Sequence, residues 1–428
     1  MAKNKKEMTP EERLAAALVP EEEQPYELPE GWKWVRLDGL ADIIMGQSPR
    51  GFDTTDDSSY TPLIGGAADM GAKELTPHKY TKVVTKLSRK NDLVLCIRAT
   101  LGRPVVSDGE YCLGRGVAGI RTIAGAVDWI RYYLIQSEPY LYEHATGSTF
   151  LQVTGKVLSD MPVPYPTVSE QQRLVARIES LFAKLDVAKE KVQAVLDAHE
   201  TRKATLLHDA FAGKLTAKWR KEHGIASDSW YTDTLKDLCV KITDGTHHSP
   251  PNTNKGDYMY VTAKNIKETG IMLDNITYVS SAVHDEIYSR CDVKKGDVLY
   301  IKDGATTGIA TVNTLDEPFS LLSSVAVLRP HEERLLPGYL KHLLNSSEQK
   351  SKMLNNMSGN AITRLTLSKI KATSIKVCSL SEQHEIVSIL DRLLGREEEV
   401  RQSAESVLAA IDSMKQSILA RAFRGELG

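Results

Sequence analysis

The residues of this chain best equipped for chemistry are forked and planar hydrogen-bonding side chains on loops rich in Gly, Ser, Thr and Asn. Met45-Gly46-Gln47-Ser48-Pro49-Arg50-Gly51 and Arg98-Ala99-Thr100-Leu101-Gly102-Arg103 each follow a strand-like run, and Ser148-Thr149-Phe150-Leu151-Gln152 comes later. Lys302-Asp303-Gly304-Ala305-Thr306-Thr307-Gly308 and Asn360-Ala361-Ile362-Thr363-Arg364 are their partners further along. Arg and Lys suit the guanine edge, Asn and Gln the adenine edge, and hydroxyl and amide donors suit phosphate. The candidate contacts to double-stranded DNA are therefore Gln47, Ser48, Arg50, Arg98, Thr100, Arg103, Thr149, Gln152, Lys302, Thr306, Thr307, Asn360, Thr363 and Arg364. Any one of them could be an ordinary polar turn; their place on paired loops is what argues for a groove reader.

Motifs for covalent chemistry fail on context. Gly114-Arg115-Gly116-Val117-Ala118-Gly119 fits the dinucleotide fingerprint, but that motif must open a helix, and here it runs on into a strand-like segment. Ser249-Pro250-Pro251-Asn252 resembles an adenine-methyltransferase motif without the aromatic on which a flipped base stacks. No G-x-x-x-x-G-K-[ST] loop is present, so ATP-driven translocation is not expected of this chain. His247-His248 lacks further ligands at metal spacing, and the five cysteines form no close pair. No catalytic residue, metal or bound cofactor is expected. Without a run of 18 or more apolar residues no membrane span is expected, and the cysteine usage suits a reducing cytoplasm. Residues 1–30 hold four basic residues against eight glutamates, which leaves the rest of the −2 chain near +2. A DNA binder is usually clearly basic. Positive charge clustered on one face, with phosphate contacts supplied by a partner, would reconcile the two.

The elements that must position these loops are built twice. Ser169-Glu170-Gln171-Gln172 recurs as Ser381-Glu382-Gln383-His384, and Phe211-Ala212-Gly213-Lys214-Leu215 as Phe423-Arg424-Gly425-Glu426-Leu427, both 212 residues on. The enclosed stretches carry apolar residues at alternating steps of four and three, the spacing of a coiled-coil seam. The seam is predicted to hold Leu174, Ile178, Leu181, Leu185 and Val192 in the first helix, and Ile386, Leu390, Leu393, Val400, Val407 and Ile411 in the second. His199, Arg202 and Glu397 interrupt it and could face one another. Asn91–Ile97 matches Gly296–Lys302 at an offset of 205, so loops differ in length between copies while the helices do not. Runs such as Leu93–Ile97, Val298–Ile301 and Ser324–Leu328 read as strands, and Trp129–Gln136 and Tyr339–Leu344 as short helices. The expected fold class is α/β (α+β).

The chain resembles the specificity (DNA-recognition) subunits of type I restriction–modification systems. Leu28-Pro29-Glu30-Gly31-Trp32-Lys33-Trp34-Val35-Arg36-Leu37, Pro162-Val163-Pro164 with Ser169-Glu170-Gln171-Gln172, and the two Phe-x-Gly-x-Leu helix ends carry the likeness. In the second copy Ser374-Ile375-Lys376 stands where the first has Pro162-Val163-Pro164. The resemblance implies an N-terminal extension (1–30), a target-recognition domain (31–167), a conserved helix (168–222), a second recognition domain (223–376) and a second helix (377–428). It implies two recognition domains placed in opposite orientations by an antiparallel helix pair, each reading half of a split, asymmetric site. It further implies docking of two adenine-methyltransferase subunits using S-adenosylmethionine, and of a motor–nuclease subunit using ATP and Mg. An orphan or anti-restriction recognition protein, and a chain with its own methyltransferase or nuclease activity, are the alternatives.

Overall fold

The computed structural model describes residues 8–147, 150–226, 228–355 and 365–428. The chain divides into two compact units, Met1–Val192 with Ser406–Gly428, and Gln193–Glu405.

The first unit is built on an antiparallel sheet in the order Ala41–Met45, Val117–Thr122, Leu93–Arg98, Thr100–Val106. The inner strand Leu93–Arg98 is apolar from Leu93 to Ile97 because both of its faces are covered there. Leu93, Leu95 and Ile97 pack with Trp129 and Ile130 of the helix Val127–Gln136, while Val94 and Cys96 pack with Ile64, Met70 and Leu113. Ile64 and Leu113 belong to a second four-stranded sheet. The acidic extension joins this unit. Thr9 caps the helix Pro10–Ala16, Ala17 and Val19 are buried, and Arg13 bonds the Asp38 carbonyl and the Asp42 carboxylate at 2.7 and 2.8 Å.

The second unit repeats the plan with the sheet Cys239–Asp244, Val325–Pro330, Val298–Ile301, Ala310–Val312. Val298 and Tyr300 face Tyr339 and Leu340 of the helix Pro337–Asn345, and Leu299 and Ile301 face a second core with Val261 and Leu321. A two-stranded antiparallel ribbon recurs as well: Lys33–Arg36 pairs with Pro162–Tyr165, and Tyr231–Thr234 with Ser374–Val377. The departure at Ser374-Ile375-Lys376 thus leaves the pairing intact. The same bidentate ion pair braces each sheet. Asp92 takes Arg121 at 3.0 and 2.7 Å, Asp297 takes Arg329 at 2.8 and 2.8 Å, and both carboxylates are buried.

Three helices carry the seam residues. The expectation of one uninterrupted helix from 168 is corrected: Val168–Asp197 and His199–Phe211 are separated at Ala198, and the short helix Ala217–Glu222 follows. At the break the Arg202 guanidinium donates to the Val195 carbonyl at 3.2 Å and pairs with Glu397 at 2.8 Å, so two of the three polar interruptions of the seam face one another, while His199 lies 3.3 Å from Glu200. The second copy is a single helix, Leu380–Phe423. Within the first unit Lys189 meets Asp412 at 2.8 Å and Asp186 meets Lys415, the crossed order of antiparallel helices. Leu174, Ile178, Ile386, Leu390 and Ile411 are buried, and Leu181, Leu185, Val192 and Leu393 are half-buried. Val400 and Val407 are not seam residues: they are 43% and 44% exposed, and Arg401 and Leu408 take the half-buried places. A straight helix holds 3.6 residues per turn, so a 3.5-residue pattern walks off its face within two heptads.

The repeated motifs now have mechanical roles. Gly213 and Gly425 adopt left-handed φ of +75° and +72° just past the helix ends, and the next residues, Lys214 and Glu426, donate back to Asp209 and Arg421 at 2.8 Å. Phe423 packs on Trp129 at 4.4 Å, and Phe211 on Tyr339 at 5.3 Å. Each of those aromatics donates to the carbonyl of its ribbon, Trp129 to Pro164 at 2.9 Å and Tyr339 to Lys376 at 3.0 Å. Gln171 and Gln383, both fully buried, pin helix to domain. Gln171 accepts from the Ala126 N–H at 2.8 Å and donates to Pro166, and Gln383 accepts from the Leu336 N–H at 2.8 Å and donates to Arg334 and Cys378.

Candidate nucleic-acid interface

In the first unit, Arg98 stands at the end of the inner strand and Gln152 on the loop that crosses it. Backbone bonds from Ala99 N to Leu151 O and from Val153 N to Ile97 O, both 2.9 Å, zip that loop to the strand end. Gln152 Oε1 then accepts from Arg98 Nε at 2.7 Å. The terminal guanidinium nitrogens of Arg98 have no protein partner among the described residues, so the fork is aimed but unspent. Arg98 and Gln152 line a cleft of about 650 Å³ together with Gly65, Gly66, Arg115 and Phe150. Gln47, Ser48 and Arg50 are exposed but do not line it; the Ser48 hydroxyl accepts from the Arg115 N–H at 3.2 Å, and the Arg50 guanidinium lies 5.8 Å from the Phe52 ring centre. Thr100 is half-buried. Arg103 is exposed at an irregular, left-handed position (φ +57°) of the strand Thr100–Val106 and donates to the Met70 carbonyl at 3.0 Å. Thr149 lies outside the described residues.

Sequence reasoning missed three exposed side chains here. Arg115 was discarded along with its Gly-x-Gly motif, yet it is exposed and its guanidinium has no partner among the described residues. The glycines serve close packing: a Cβ on Gly116 would stand 2.2 Å from the Gly65 carbonyl oxygen, and one on Gly46 2.1 Å from that of Gly114. They let three loops converge and so hold Arg115 at the cleft. Phe52 and Phe150, 75% and 71% exposed, are large apolar side chains left to water.

The second unit answers differently. Lys302 is corrected as a surface contact: its side chain is 8% exposed, with Nζ 2.6 Å from Asp303 and 3.5 Å from Asp244. It occupies the inward position of Ile97, since Ile97 N donates to Gly116 O and Lys302 N to Ser324 O, each at 2.9 Å. Thr307 is likewise buried, its hydroxyl turned onto the Gly304 carbonyl at 2.6 Å, whereas Thr306 is exposed. Asn360, Thr363 and Arg364 lie outside the described residues. No group of three or more His, Cys, Asp or Glu side chains could hold a metal among the described residues, and no helix there is long and apolar enough to cross a membrane.

The sequence model of the type I restriction modification DNA specificity domain matches residues 29–197 and again residues 227–405. The chain belongs to this family. It carries two copies of the family's domain, one for each repeat. Over 301 residues it is 23% identical to the type I restriction enzyme EcoBI specificity subunit of Escherichia coli, covering 66% of this chain and 62% of that one. Over 321 residues it is 22% identical to the EcoDI specificity subunit of Escherichia coli, covering 69% of each. Across the first relatives matched, the aligned region spans 45% to 62% of their length. Among solved structures, a chain described under complex assembly and conformational transition of the type I R-M system superposes with a TM-score of 0.75. It is 20% identical and covers 94% of this chain and 100% of that one. The HsdS subunit from Thermoanaerobacter tengcongensis gives 0.56 at 19% identity, covering 94% and 99%. These share the fold.

Proposed function

We propose that this chain is the DNA-reading subunit of a type I restriction–modification complex, each unit recognising one half of a bipartite, asymmetric site. The observation that carries the reading is the double match to a DNA specificity domain, joined to two clefts at the same place in two equivalent frames. Backbone bonds fix the positions of Arg98 and Asp303 alike in the two sheets, while the side chains there differ. A scaffold that repeats while its presented side chains diverge suits the reading of two different sequences. The domain boundaries proposed for the readers are 31–167 and 223–376, with the helices at 168–222 and 377–428 as the frame.

The chain supplies recognition, and its family is non-catalytic. Methyl transfer to adenine N6 belongs to two modification subunits that use S-adenosylmethionine, docked on the helices. Cleavage belongs to a motor–nuclease subunit that uses ATP and Mg, and the assembly works in the cytoplasm. A near-neutral reader fits such an assembly, because partners can supply the phosphate contacts that dominate affinity. The test is to incubate the chain with labelled S-adenosylmethionine and duplex DNA, with and without a modification subunit. Label should enter DNA only when both are present and only at one bipartite motif. Transfer by the chain alone, or transfer without sequence preference, would overturn the proposal.

A further inference from the structure

The two clefts differ in the sign of what they present. In the first, the strand-end position holds Arg98, and the turn before the neighbouring strand holds Arg115 and Gly116. The equivalent places in the second unit, fixed by the matched bonds Ile97 N to Gly116 O and Lys302 N to Ser324 O, hold Asp303, Ser323 and Ser324. Asp303 Oδ2 is taken by the buried Lys302 ammonium at 2.6 Å. Asp303 Oδ1 and Ser324 Oγ are buried with no partner among the described residues, although Asp303 and Ser324 line an open cleft of about 550 Å³. A buried polar atom without a partner is costly and usually marks a missing ligand or water. Lys302 thereby gains a positioning role: it clamps one carboxylate oxygen at the wall of the cleft and leaves the other without a partner among the described residues.

Every base pair shows one exocyclic amine and one exocyclic carbonyl in the major groove. A guanidinium fork matches guanine N7 and O6, whereas a carboxylate accepts only from an amine. Resting on the functional reading above, we propose that the second unit selects an amine-bearing base at Asp303, whereas the first selects guanine through Arg98 and Arg115. Cytosine N4 is the better match for Asp303, because adenine sets the N7 acceptor beside its amine and would repel the carboxylate.

The full-length chain, assembled with its modification subunits, is incubated with a library of randomised duplexes, and the bound fraction is sequenced. The wild type should return a bipartite motif with guanine in one half and a cytosine preference at one position of the other. Asp303→Asn should keep the contact with Lys302 through its amide oxygen and turn its NH₂ to the cleft. Preference at that position should then pass to thymine or guanine, by a factor on the order of 10 to 100. Asp303→Ala should tolerate all four bases there. The unaltered guanine half serves as the internal control that the chain is folded and bound. Arg115→Ala should relax only the guanine half. If no position of the second half is specified as C·G in the wild type, or if Asp303→Asn leaves every position of it unchanged, the proposal is wrong. If the wild type selects no bipartite motif at all, the functional reading fails instead.

Discussion

Replacing Gln383 by Leu tests whether the repeated Ser-Glu-Gln motif is the joint between a recognition domain and its helix. The Gln383 amide is fully buried, accepts from the Leu336 N–H at 2.8 Å, and donates to the Arg334 and Cys378 carbonyls at 2.9 Å. Leucine fills nearly the same volume, so little cavity forms and the loss is polar. It strands one N–H and two carbonyls in a dry site, each worth about 1–3 kcal/mol when left unpaired. Partial rehydration at the helix start reduces the sum, and a total of about 3 kcal/mol is reasonable. The second unit holds roughly 200 residues, a size at which each kcal/mol moves the melting point by about 2–4 °C. Scanning calorimetry of the full chain should therefore show the transition of this unit falling by about 6–12 °C, with the other unit's unchanged. Gln171→Leu should mirror the effect in the first unit. Ser381→Ala, which removes an exposed hydroxyl from the same motif, should stay within about 0.5 kcal/mol. A Gln383→Leu protein that melts with the wild type would show that the amide pins nothing.

Arg98→Ala and Gln152→Ala should each weaken binding to the cognate duplex by about 1–3 kcal/mol while leaving random-sequence binding nearly unchanged; equal losses on both would make them phosphate contacts. Burial pushes the Cys96 thiol up to about 11 and those of Cys239, Cys291 and Cys378 up to about 12. Because the folded values lie above the ordinary thiol value, folding opposes ionisation, and stability should fall as pH rises past about 8.5. At pH 8 an aromatic disulfide reagent should therefore label these thiols only as fast as the native chain opens, and rapid labelling would contradict their burial. Glu382 is buried against Arg220, Thr216 and Trp230, so Glu382→Ala should cost about 3–5 kcal/mol by leaving the Arg220 charge unpaired, measured by denaturant unfolding.

The fold was legible because repetition reports rigid elements directly. The constant offset of 212 marked the helices, and the wholly apolar runs at 93–97 and 298–301 marked strands covered on both faces. The rejection of Gly114-x-Gly116 as a nucleotide site agrees with the strand that follows, Val117–Thr122. Its glycines still mattered, as the close approach to Gly65 shows, and setting the motif aside hid Arg115. Lys302 misled because its burial belongs to the fold: its ammonium sits between the neighbouring Asp303 and Asp244, which is 58 positions away in sequence. Thr307 misled because a hydroxyl can turn onto its own loop as readily as onto a phosphate. Val400 and Val407 followed a 3.5-residue pattern that a straight helix does not keep. The Arg98–Gln152 pair shows the opposite case: two residues 54 apart, chosen for their chemistry, which the crossing loop brings to 2.7 Å.

The central claim is that two independent readers share one chain. Exchanging residues 31–165 for the corresponding segment of a relative, and mapping N6-methyladenine across the genome of a strain carrying the hybrid with its modification subunits, tests it most directly. The account predicts a bipartite motif in which one half is replaced and the other is kept base for base. A motif changed in both halves together, or in neither, would contradict it.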